Sequence, residues 1–411
     1  MHAISSSLRR TAAAALLLAA CDLDVNNPGV IDASTFDPLT DARILSMSAQ
    51  QNSYFAYGAL INSTALYSGE TWTGAVRQES NDIGRRAIAD TNLDLNATFW
   101  APLQLAIATN SQVVDVLSDA PDFDSSINVA RSSMWAGFAV GLMGEIFCNG
   151  VIKVGPPLSP AQTQDSAIVR FQRAIQTAGA LTGAEATKIL NASHVGLARA
   201  YLQKGDLANA AQAAASVPAG FVANAVYVDD QQSRARTSNG VFVSSAGSTQ
   251  IVSGDYRALN DPRVPFVDAG INAQDGRNRL FRQQKYTAFA DPIRVASELE
   301  ARYIVAEAQL KQDNPAAALT LIAERRVAGA QDPFAETGSD AILTELMDQR
   351  ARDFWLEAKH LGDYIRNPTA TPLVPAADAP FYKPEQGNFG PMTCLAVPFV
   401  ERTNNPNFPR S

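Results

Sequence analysis

Apolar residues recur three and four positions apart in several long segments of this chain, a spacing typical of amphipathic helices. The pattern is clearest from Ser297 to Arg366, which predicts three successive helices. Glu307 and Lys311, four residues apart, are predicted on the polar side of the first helix. The apolar face of that helix comprises Leu299, Tyr303, Ala306 and Leu310. The face predicted for the third helix comprises Leu343, Met347, Ala351, Phe354, Ala358 and Leu361.

The turn between the first two of these helices also occurs earlier in the chain. The segment from Ala198 to Ala210 matches the segment from Ala306 to Ala318 at a constant offset, with small residues at corresponding positions. The earlier copy resembles a tetratricopeptide hairpin. Such a hairpin cannot bury its apolar face alone, so repeated copies predict a stacked scaffold. The expected fold class is therefore mainly α, built from tetratricopeptide-like helical hairpins.

Further helices are predicted ahead of the first hairpin. Their approximate bounds are 41–60, 99–117, 131–148 and 166–181. Asn110 falls on the apolar face of the second, so we expect it to have a buried hydrogen-bond partner. Gly137, Gly141 and Gly144 interrupt the third, and glycine in a helix interior costs roughly 1 kcal/mol relative to alanine. We therefore expect close packing against another helix there.

The helical pattern is interrupted between residues 221 and 296. Short apolar runs at Gly240–Val243 and Gln250–Val252 alternate with Gly, Ser and Asp, which predicts a loop-rich excursion with small strands. Residues 367–411 are rich in Pro, Asn and aromatic residues, and we expect them to wrap back over the scaffold. Residues 41–411 are thus predicted to form a single domain that includes this excursion.

The N-terminus resembles an export signal. Arg9 and Arg10 precede an apolar run that is too short to span a bilayer, and Leu18-Ala19-Ala20-Cys21 follows. This tetrapeptide resembles a bacterial lipobox, which predicts a signal peptide at 1–20, a lipid anchor of palmitate-type acyl chains at Cys21 and a tether arm at 21–40. The alternative is an ordinary secretory signal in which Cys21 is incidental.

Charge and cysteine content narrow the possible partners. The 411 residues carry a formal net charge of -8, with 18% charged residues and no basic tract, so nucleic acid is not an expected partner.

Two cysteines remain beyond the signal, Cys148 and Cys394. They could pair outside the cytoplasm. Because Cys148 follows a strongly apolar helix and buried free cysteine is common, we predict two unpaired thiols.

No catalytic or metal-binding constellation is visible in the sequence. His2 belongs to the predicted signal, whereas His194 and His360 fall within scaffold helices. No GxSxG, HExxH or CxxC motif occurs, so we predict no catalytic residues, no metal and no cofactor. A pair of glycosidase carboxylates would leave no sequence signature.

Candidate ligand-binding residues cluster in the irregular segment 67–88. They are Tyr67, Trp72, Arg77, Asn81 and Asp82. Aromatic and polar side chains that converge without a helical face to bury them are typical of small-molecule sites. Tyr227, Tyr256 and Phe281 are further aromatics that we expect to be exposed. Trp100, Trp135 and Trp355 are assigned to the core.

The order of several motifs resembles that of the SusD/RagB family of nutrient-uptake outer-membrane lipoproteins. Besides the lipobox and the Ala198–Asp206 hairpin, the similar segments are Asp24–Pro28, Arg131–Gly150, Arg302–Gln309, Glu324–Gly329, Arg352–Arg366, Leu395–Pro398 and Asn404–Asn407. The resemblance covers most of the chain. Phe147-Cys148-Asn149-Gly150 and Ala358–Asp363 depart from the family pattern at structural positions.

The resemblance implies a surface-exposed lipoprotein of the outer membrane without enzymatic activity. Such a protein would bind an oligosaccharide or another oligomeric nutrient and deliver it to a TonB-dependent, SusC-like barrel. Two other classes remain open. One is a secreted helical-repeat scaffold that binds a protein, which an extended apolar groove would favour. The other is a glycan hydrolase, which would need two carboxylates in one cleft.

Overall fold

The predicted mainly α fold is confirmed by the computed structural model, which describes residues 37 and 39–409. Fifteen α-helices lie in this part of the chain, together with three small two-stranded sheets. The predicted signal peptide 1–20, the lipid attachment site Cys21 and nearly all of the tether arm 21–40 lie outside the described residues. From Ala42 onward the chain forms a single compact unit.

Five helices precede the first hairpin repeat. They are α1 (Ala42–Ser68), α2 (Gln78–Gly84), α3 (Ala101–Val116), α4 (Ile127–Ile146) and α5 (Pro160–Gly179). Strand β1 (Thr71–Thr73) follows α1, and a π-helical turn (Leu95–Trp100) leads into α3. Helix α1 continues eight residues beyond its predicted end, because Ile61, Ala65 and Leu66 extend its buried face.

The close packing predicted for α4 is present. A Cβ atom at Gly137 would lie 2.8 Å from the ring of Phe171 on α5, so only glycine permits this approach. The predicted partner of Asn110 is also found: its Nδ2 donates hydrogen bonds to the Ala49 carbonyl, 3.1 Å away, and to Ser53 Oγ, 2.9 Å away. These contacts fix α4 against α5 and α3 against α1.

The first predicted hairpin consists of α6 (Ala184–Lys204) and α7 (Leu207–Ala215). Gly205 ends α6 with a left-handed φ of 79°, a conformation that glycine adopts without steric cost. The Asp206 carboxylate then accepts a hydrogen bond from the Asn209 backbone N–H at 3.3 Å and caps α7. Local sequence therefore specifies this turn completely.

The excursion is loop-rich with short strands, as predicted. Its elements are β2 (Val222–Ala225), α8 (Arg234–Thr237), α9 (Gly240–Ala246), β3 (Gln250–Val252), α10 (Gly254–Ala258), β4 (Phe266–Asn272), β5 (Arg279–Gln283) and β6 (Ile293–Ser297). The antiparallel pairs are β1–β3, β2–β6 and β4–β5. Gly240–Val243 is helical rather than extended, because the Asn239 side chain accepts hydrogen bonds from the Val241 and Phe242 N–H groups and caps α9.

The second hairpin and its neighbours complete the scaffold. They are α11 (Glu298–Leu310), α12 (Ala316–Ala328), α13 (Ser339–Asp353), α14 (His360–Arg366) and α15 (Phe399–Asn404). The prediction of one continuous third helix through Leu361 is wrong. The chain leaves α13 at Asp353, and Leu356 and Ala358 adopt left-handed φ values of 57° and 54°, which interrupt a helix.

The placement of Glu307 on a polar face is also wrong. This carboxylate is 1% exposed and receives hydrogen bonds from both Arg366 and Lys311. Burial costs a carboxylate its hydration, and the cations offset that cost. The pKa of Glu307 therefore lies well below its usual value: burial alone would raise it, but Arg366 and Lys311 lower it further than burial raises it.

The prediction of two unpaired thiols is wrong, because Cys148 and Cys394 form a disulfide with their Cα atoms 4.9 Å apart. The C-terminal segment wraps back as predicted and lies beside the end of α4. There the Cys148 N–H donates to the Leu395 carbonyl at 2.9 Å, and the Leu395 N–H donates to the Ile146 carbonyl at 2.8 Å. These backbone contacts bring two cysteines together across a sequence separation of 246 residues.

Candidate functional site

A cleft of about 500 Å³ opens between α1 and the excursion. One wall is the face of α1 that presents Phe55, Ala59, Asn62 and Leu66, at the spacing of residues on one helical stripe. The facing wall comes from α9, β3 and the chain between β1 and the π-helical turn. The volume of the cleft falls in the range of about 300–1,000 Å³ found for small-molecule sites.

Asn62 ties the helical wall to the excursion. Its Nδ2 donates a hydrogen bond to the Gly240 carbonyl at 2.8 Å, and Gln250 Nε2 donates to the Asn62 carbonyl at 2.9 Å. The close approach of α1 and α9 depends on glycine, because a Cβ atom at Gly240 would lie 3.0 Å from the Gly58 carbonyl oxygen. Asn62 Oδ1 accepts no hydrogen bond from residues 39–409.

Arg77 and Asp94 form a charged pair on the opposite wall. The Asp94 side chain is 9% exposed, whereas that of Arg77 is 56% exposed. Ser80 Oγ donates to the second carboxylate oxygen of Asp94 at 3.2 Å. The carboxylate is thus fixed by its neighbours, while the guanidinium presents further N–H donors towards solvent.

Of the residues predicted to bind a ligand, Arg77 lines the cleft. Tyr67, Trp72, Asn81 and Asp82 do not contribute to its lining. Tyr67 is buried, and its hydroxyl donates to the Thr393 carbonyl at 2.9 Å. Asp82 accepts hydrogen bonds from Gln78 and Arg85 beside the rim.

Asn81 supports Arg77 from behind. Its Nδ2 donates to the Arg77 carbonyl at 2.9 Å, and its Oδ1 accepts a hydrogen bond from Lys383 Nζ at 3.1 Å. Lys383 also donates to the Ala75 carbonyl at 2.9 Å and pairs with Asp275 at 3.1 Å. The wrapping C-terminal segment therefore holds the backbone that carries Arg77.

Trp72 lies in β1 and is half-buried. Its ring stacks on Tyr382 with centroids 4.4 Å apart and an interplanar angle of 8°, and the Arg257 guanidinium lies 5.5 Å from the indole ring. These contacts hold the indole in a fixed orientation. The expectation that Tyr227 and Tyr256 are exposed is wrong, since both are buried, whereas Trp100, Trp135 and Trp355 are core residues as predicted.

Sequence reasoning missed Phe55, Asn62 and Gln250. Phe55 is half-buried in the cleft wall, and the Arg236 guanidinium lies 5.0 Å from its ring centroid. All three lie in a helix or a strand, where the sequence does not distinguish an apolar or amide side chain that lines a cleft from one that packs in the core. They face the cleft only because a gap is left between α1 and the excursion.

The charged side chains among the described lining residues are those of Arg77 and Asp94. Asp94 is the one carboxylate among the described lining residues, and Arg77 neutralises it. Glycoside hydrolysis uses a pair of carboxylates.

Among residues 37 and 39–409, no cluster of three His, Cys, Asp or Glu residues has metal-binding geometry. Burial lowers the pKa of His360 to about 4, so this imidazole is neutral at pH 7.

Solved structures with this architecture include proteins from Parabacteroides and Bacteroides species. A SusD superfamily protein from Parabacteroides distasonis aligns with a TM-score of 0.69 at 17% identity, covering 91% of this chain and 99% of that chain. A SusD-like carbohydrate binding protein from Bacteroides vulgatus aligns with a TM-score of 0.70 at 14% identity, covering 91% and 98%. A SusD superfamily protein from Bacteroides thetaiotaomicron gives 0.69 at 13% identity, covering 90% and 100%. The chain has a SusD-like fold.

This SusD-like fold confirms the architecture that the sequence motifs implied. No protein-family model and no curated protein sequence matches the chain. Within the part that the structure describes, no helix is both long and apolar enough to cross a bilayer. In this SusD-like chain the cleft lies where α1 meets the excursion, and the C-terminal segment supports its rim.

Proposed function

We propose that this chain is a nutrient-binding lipoprotein whose cleft between α1 and the excursion binds an oligosaccharide. The observation that carries the proposal is the composition of the cleft. Asn62, Arg77 and Gln250 supply planar polar groups, and each is oriented by a contact with a neighbouring element. Phe55 supplies an apolar ring surface on the same cleft.

Sugars match this combination because each ring has a hydroxyl edge and an apolar face. Planar amide and guanidinium groups bind pairs of hydroxyls, and groups held in advance lose little entropy on binding. The apolar face of a sugar would lie against Phe55.

The fold and the N-terminus support a proposal for how the nutrient is handled. A SusD-like fold and the Bacteroides vulgatus protein described as carbohydrate binding support the ligand class. The lipobox supports anchoring through Cys21 at the outer membrane, and the Cys148–Cys394 disulfide is typical of a protein outside the cytoplasm. We propose that the bound oligosaccharide passes to a TonB-dependent barrel without being cleaved.

Calorimetry with a panel of oligosaccharides and peptides tests the proposal on the mature protein. Arg77→Gln removes the charge at the cleft wall and should weaken oligosaccharide binding about tenfold, as for loss of one charge-assisted contact. Arg277→Gln is the matched control, since the Arg277 side chain is 77% exposed and lies outside the lining. Chromatography of the ligand after incubation measures cleavage.

Binding of an oligosaccharide that Arg77→Gln weakens and Arg277→Gln preserves supports the proposal. Release of shorter products by the wild-type protein would instead support the hydrolase alternative. Binding of peptides alone, with no glycan bound, would favour the protein-interaction scaffold.

A further inference from the structure

A second, smaller cavity lies away from the cleft, between α3, α4 and α5. Its volume is about 190 Å³, and none of its lining residues lines the cleft. Ser111 and Asp115 on α3, Ser133 on α4, Arg170 and Arg173 on α5, and Lys153 supply its polar groups. The cavity is too small for an oligosaccharide.

The charge around this cavity is mostly positive. Three cationic side chains face one carboxylate, and that carboxylate is already paired: Lys153 Nζ lies 2.6 Å from Asp115 Oδ2. Among residues 39–409 no carboxylate lies within salt-bridge distance of Arg170 or Arg173. Arg170 donates to the Ser166 carbonyl at 2.7 Å, and the Arg173 guanidinium lies 5.5 Å from the Phe123 ring centroid.

The two arginines also affect one another. Arg170 is half-buried, and burial together with the neighbouring charge of Arg173 lowers the pKa of its guanidinium, with Asp115 acting in the opposite direction. Arg173 is exposed, but its charge lies close enough to Arg170 for the two guanidinium groups to repel each other, and an anion between them would relieve that repulsion. The arrangement therefore favours an occupant of negative charge.

Two buried serines add hydrogen-bonding capacity. Ser111 is 8% exposed and Ser133 is 2% exposed, and neither hydroxyl has a hydrogen-bond partner in the described part of the chain. Buried hydroxyls are normally paired, because burying one without a partner costs free energy. Serine in a helix interior can donate to the carbonyl four residues earlier, but these two do not.

We propose that this cavity binds a small tetrahedral oxyanion, phosphate or sulfate, through Arg170, Arg173 and the hydroxyls of Ser111 and Ser133. The oxyanion accepts charge-assisted hydrogen bonds from the guanidinium groups. Its remaining oxygen atoms accept from the serine hydroxyls. The ion is either free in solution or an ester group of a larger molecule, since both present the same oxygens.

Calorimetry at constant ionic strength, with sodium phosphate, sodium sulfate and sodium chloride as probes, tests the proposal on the mature protein. Phosphate or sulfate should bind and chloride should not. Arg170→Gln and Arg173→Gln should each weaken binding about tenfold. Arg277→Gln should leave binding unchanged, because Arg277 is not among the lining residues of the cavity.

Ser133→Ala separates a binding role from a structural one. In phosphate-free buffer the variant should unfold at the same urea concentration as the wild type or a higher one, because an unpartnered hydroxyl has been removed. It should nevertheless bind the oxyanion several-fold more weakly. Glycerol phosphate identifies the source: binding tighter than that of inorganic phosphate indicates an ester group, and weaker binding indicates the free ion.

Two results would overturn the proposal. One is the absence of binding of both phosphate and sulfate to the folded wild-type protein. The other is binding that Arg170→Gln, Arg173→Gln and Ser133→Ala all leave unchanged, which would place the anion elsewhere on the protein.

Discussion

Arg199→Met should destabilise the scaffold strongly, because it removes one partner of a buried ion pair between the two hairpins. Arg199 on α6 donates to Glu300 Oε1 on α11 at 2.7 Å and to the Val295 carbonyl at 3.0 Å. Glu300 is fully buried and also accepts a hydrogen bond from Lys359 Nζ at 2.9 Å. The substitution keeps most of the side-chain volume and removes the charge and both hydrogen bonds.

The expected magnitude follows from the charges that remain. Removing one partner of a buried ion pair costs about 3–5 kcal/mol. Lys359 remains beside Glu300 in the variant, so we expect a loss near the lower limit, about 3 kcal/mol. The pKa of Glu300 shows that the surrounding cations together outweigh burial. Burial alone would raise this pKa, but Arg199, Lys359 and Arg350 lower it from 4.5 to about 2.

The same shift sets a pH dependence. Because the folded-state pKa of Glu300 lies below the unfolded value, its stabilisation is fully present above pH 4.5 and is lost as the pH falls towards about 2. Arg199→Met reduces the shift, so the difference in stability between wild type and variant should be large at pH 7 and smaller at pH 3.

Urea unfolding monitored by circular dichroism measures both effects. The matched control is Arg302→Met on α11, whose ion pair with Glu324 involves side chains that are 35% and 46% exposed. Exposed pairs contribute at most about 1 kcal/mol. A loss in Arg199→Met no larger than that in Arg302→Met would refute the reasoning that this buried pair joins the two hairpins.

Three further predictions concern single groups. Burial raises the pKa of Glu70 from 4.5 to about 7, so the free energy of unfolding of the wild type falls as the pH rises through that interval. Glu70→Gln lacks this titration. Between pH 4 and pH 8 its free energy of unfolding, measured by urea titration, should therefore rise by about 3 kcal/mol relative to that of the wild type. Reduction of the Cys148–Cys394 disulfide should cost about 2–4 kcal/mol in the same assay, and a Cys148→Ala/Cys394→Ala variant should not respond to reductant. Cys21→Ala should move the protein from the membrane to the soluble fraction or block its processing, and retention in salt-washed membranes would place the anchor elsewhere.

The sequence predicted those parts of the fold that depend on neighbouring residues. The hairpin turn at Gly205 and Asp206 is specified by a left-handed glycine and a capping carboxylate. The burial of Asn110 and the close packing at Gly137 followed from residue type on a helical face. In each case the residue type signals a feature at its own position, although the partners of Asn110 and Gly137 lie on other helices.

The features that the sequence did not predict depend on distant contacts. The break after α13 accompanies a hydrogen bond from the Leu356 N–H to Glu70 Oε1 at 2.9 Å, across 286 positions. The disulfide depends on a C-terminal segment that returns to α4. A helical periodicity or a local cysteine environment carries no information about such partners.

In the candidate site, too, features that depend on neighbouring residues were predicted and features that depend on distant contacts were not. Arg77 was identified because a charged residue beside irregular backbone suggests a ligand site, and it lines the cleft. Asn62 was not identified, because it lies just beyond the predicted end of α1 and its contact with α9 joins residues far apart in the chain. The stacking of Trp72 on Tyr382 joins residues far apart in the chain, so the neighbours of this indole could not be predicted.

A crystal structure of the mature protein with the oligosaccharide that binds most tightly tests the central proposal most directly. We predict ordered sugar density in the cleft between α1 and the excursion, with a ring against Phe55 and hydroxyls within hydrogen-bond distance of Asn62 and Arg77. Ordered sugar at another place, such as beside the stacked pair of Trp72 and Tyr382, with the cleft empty, would contradict it.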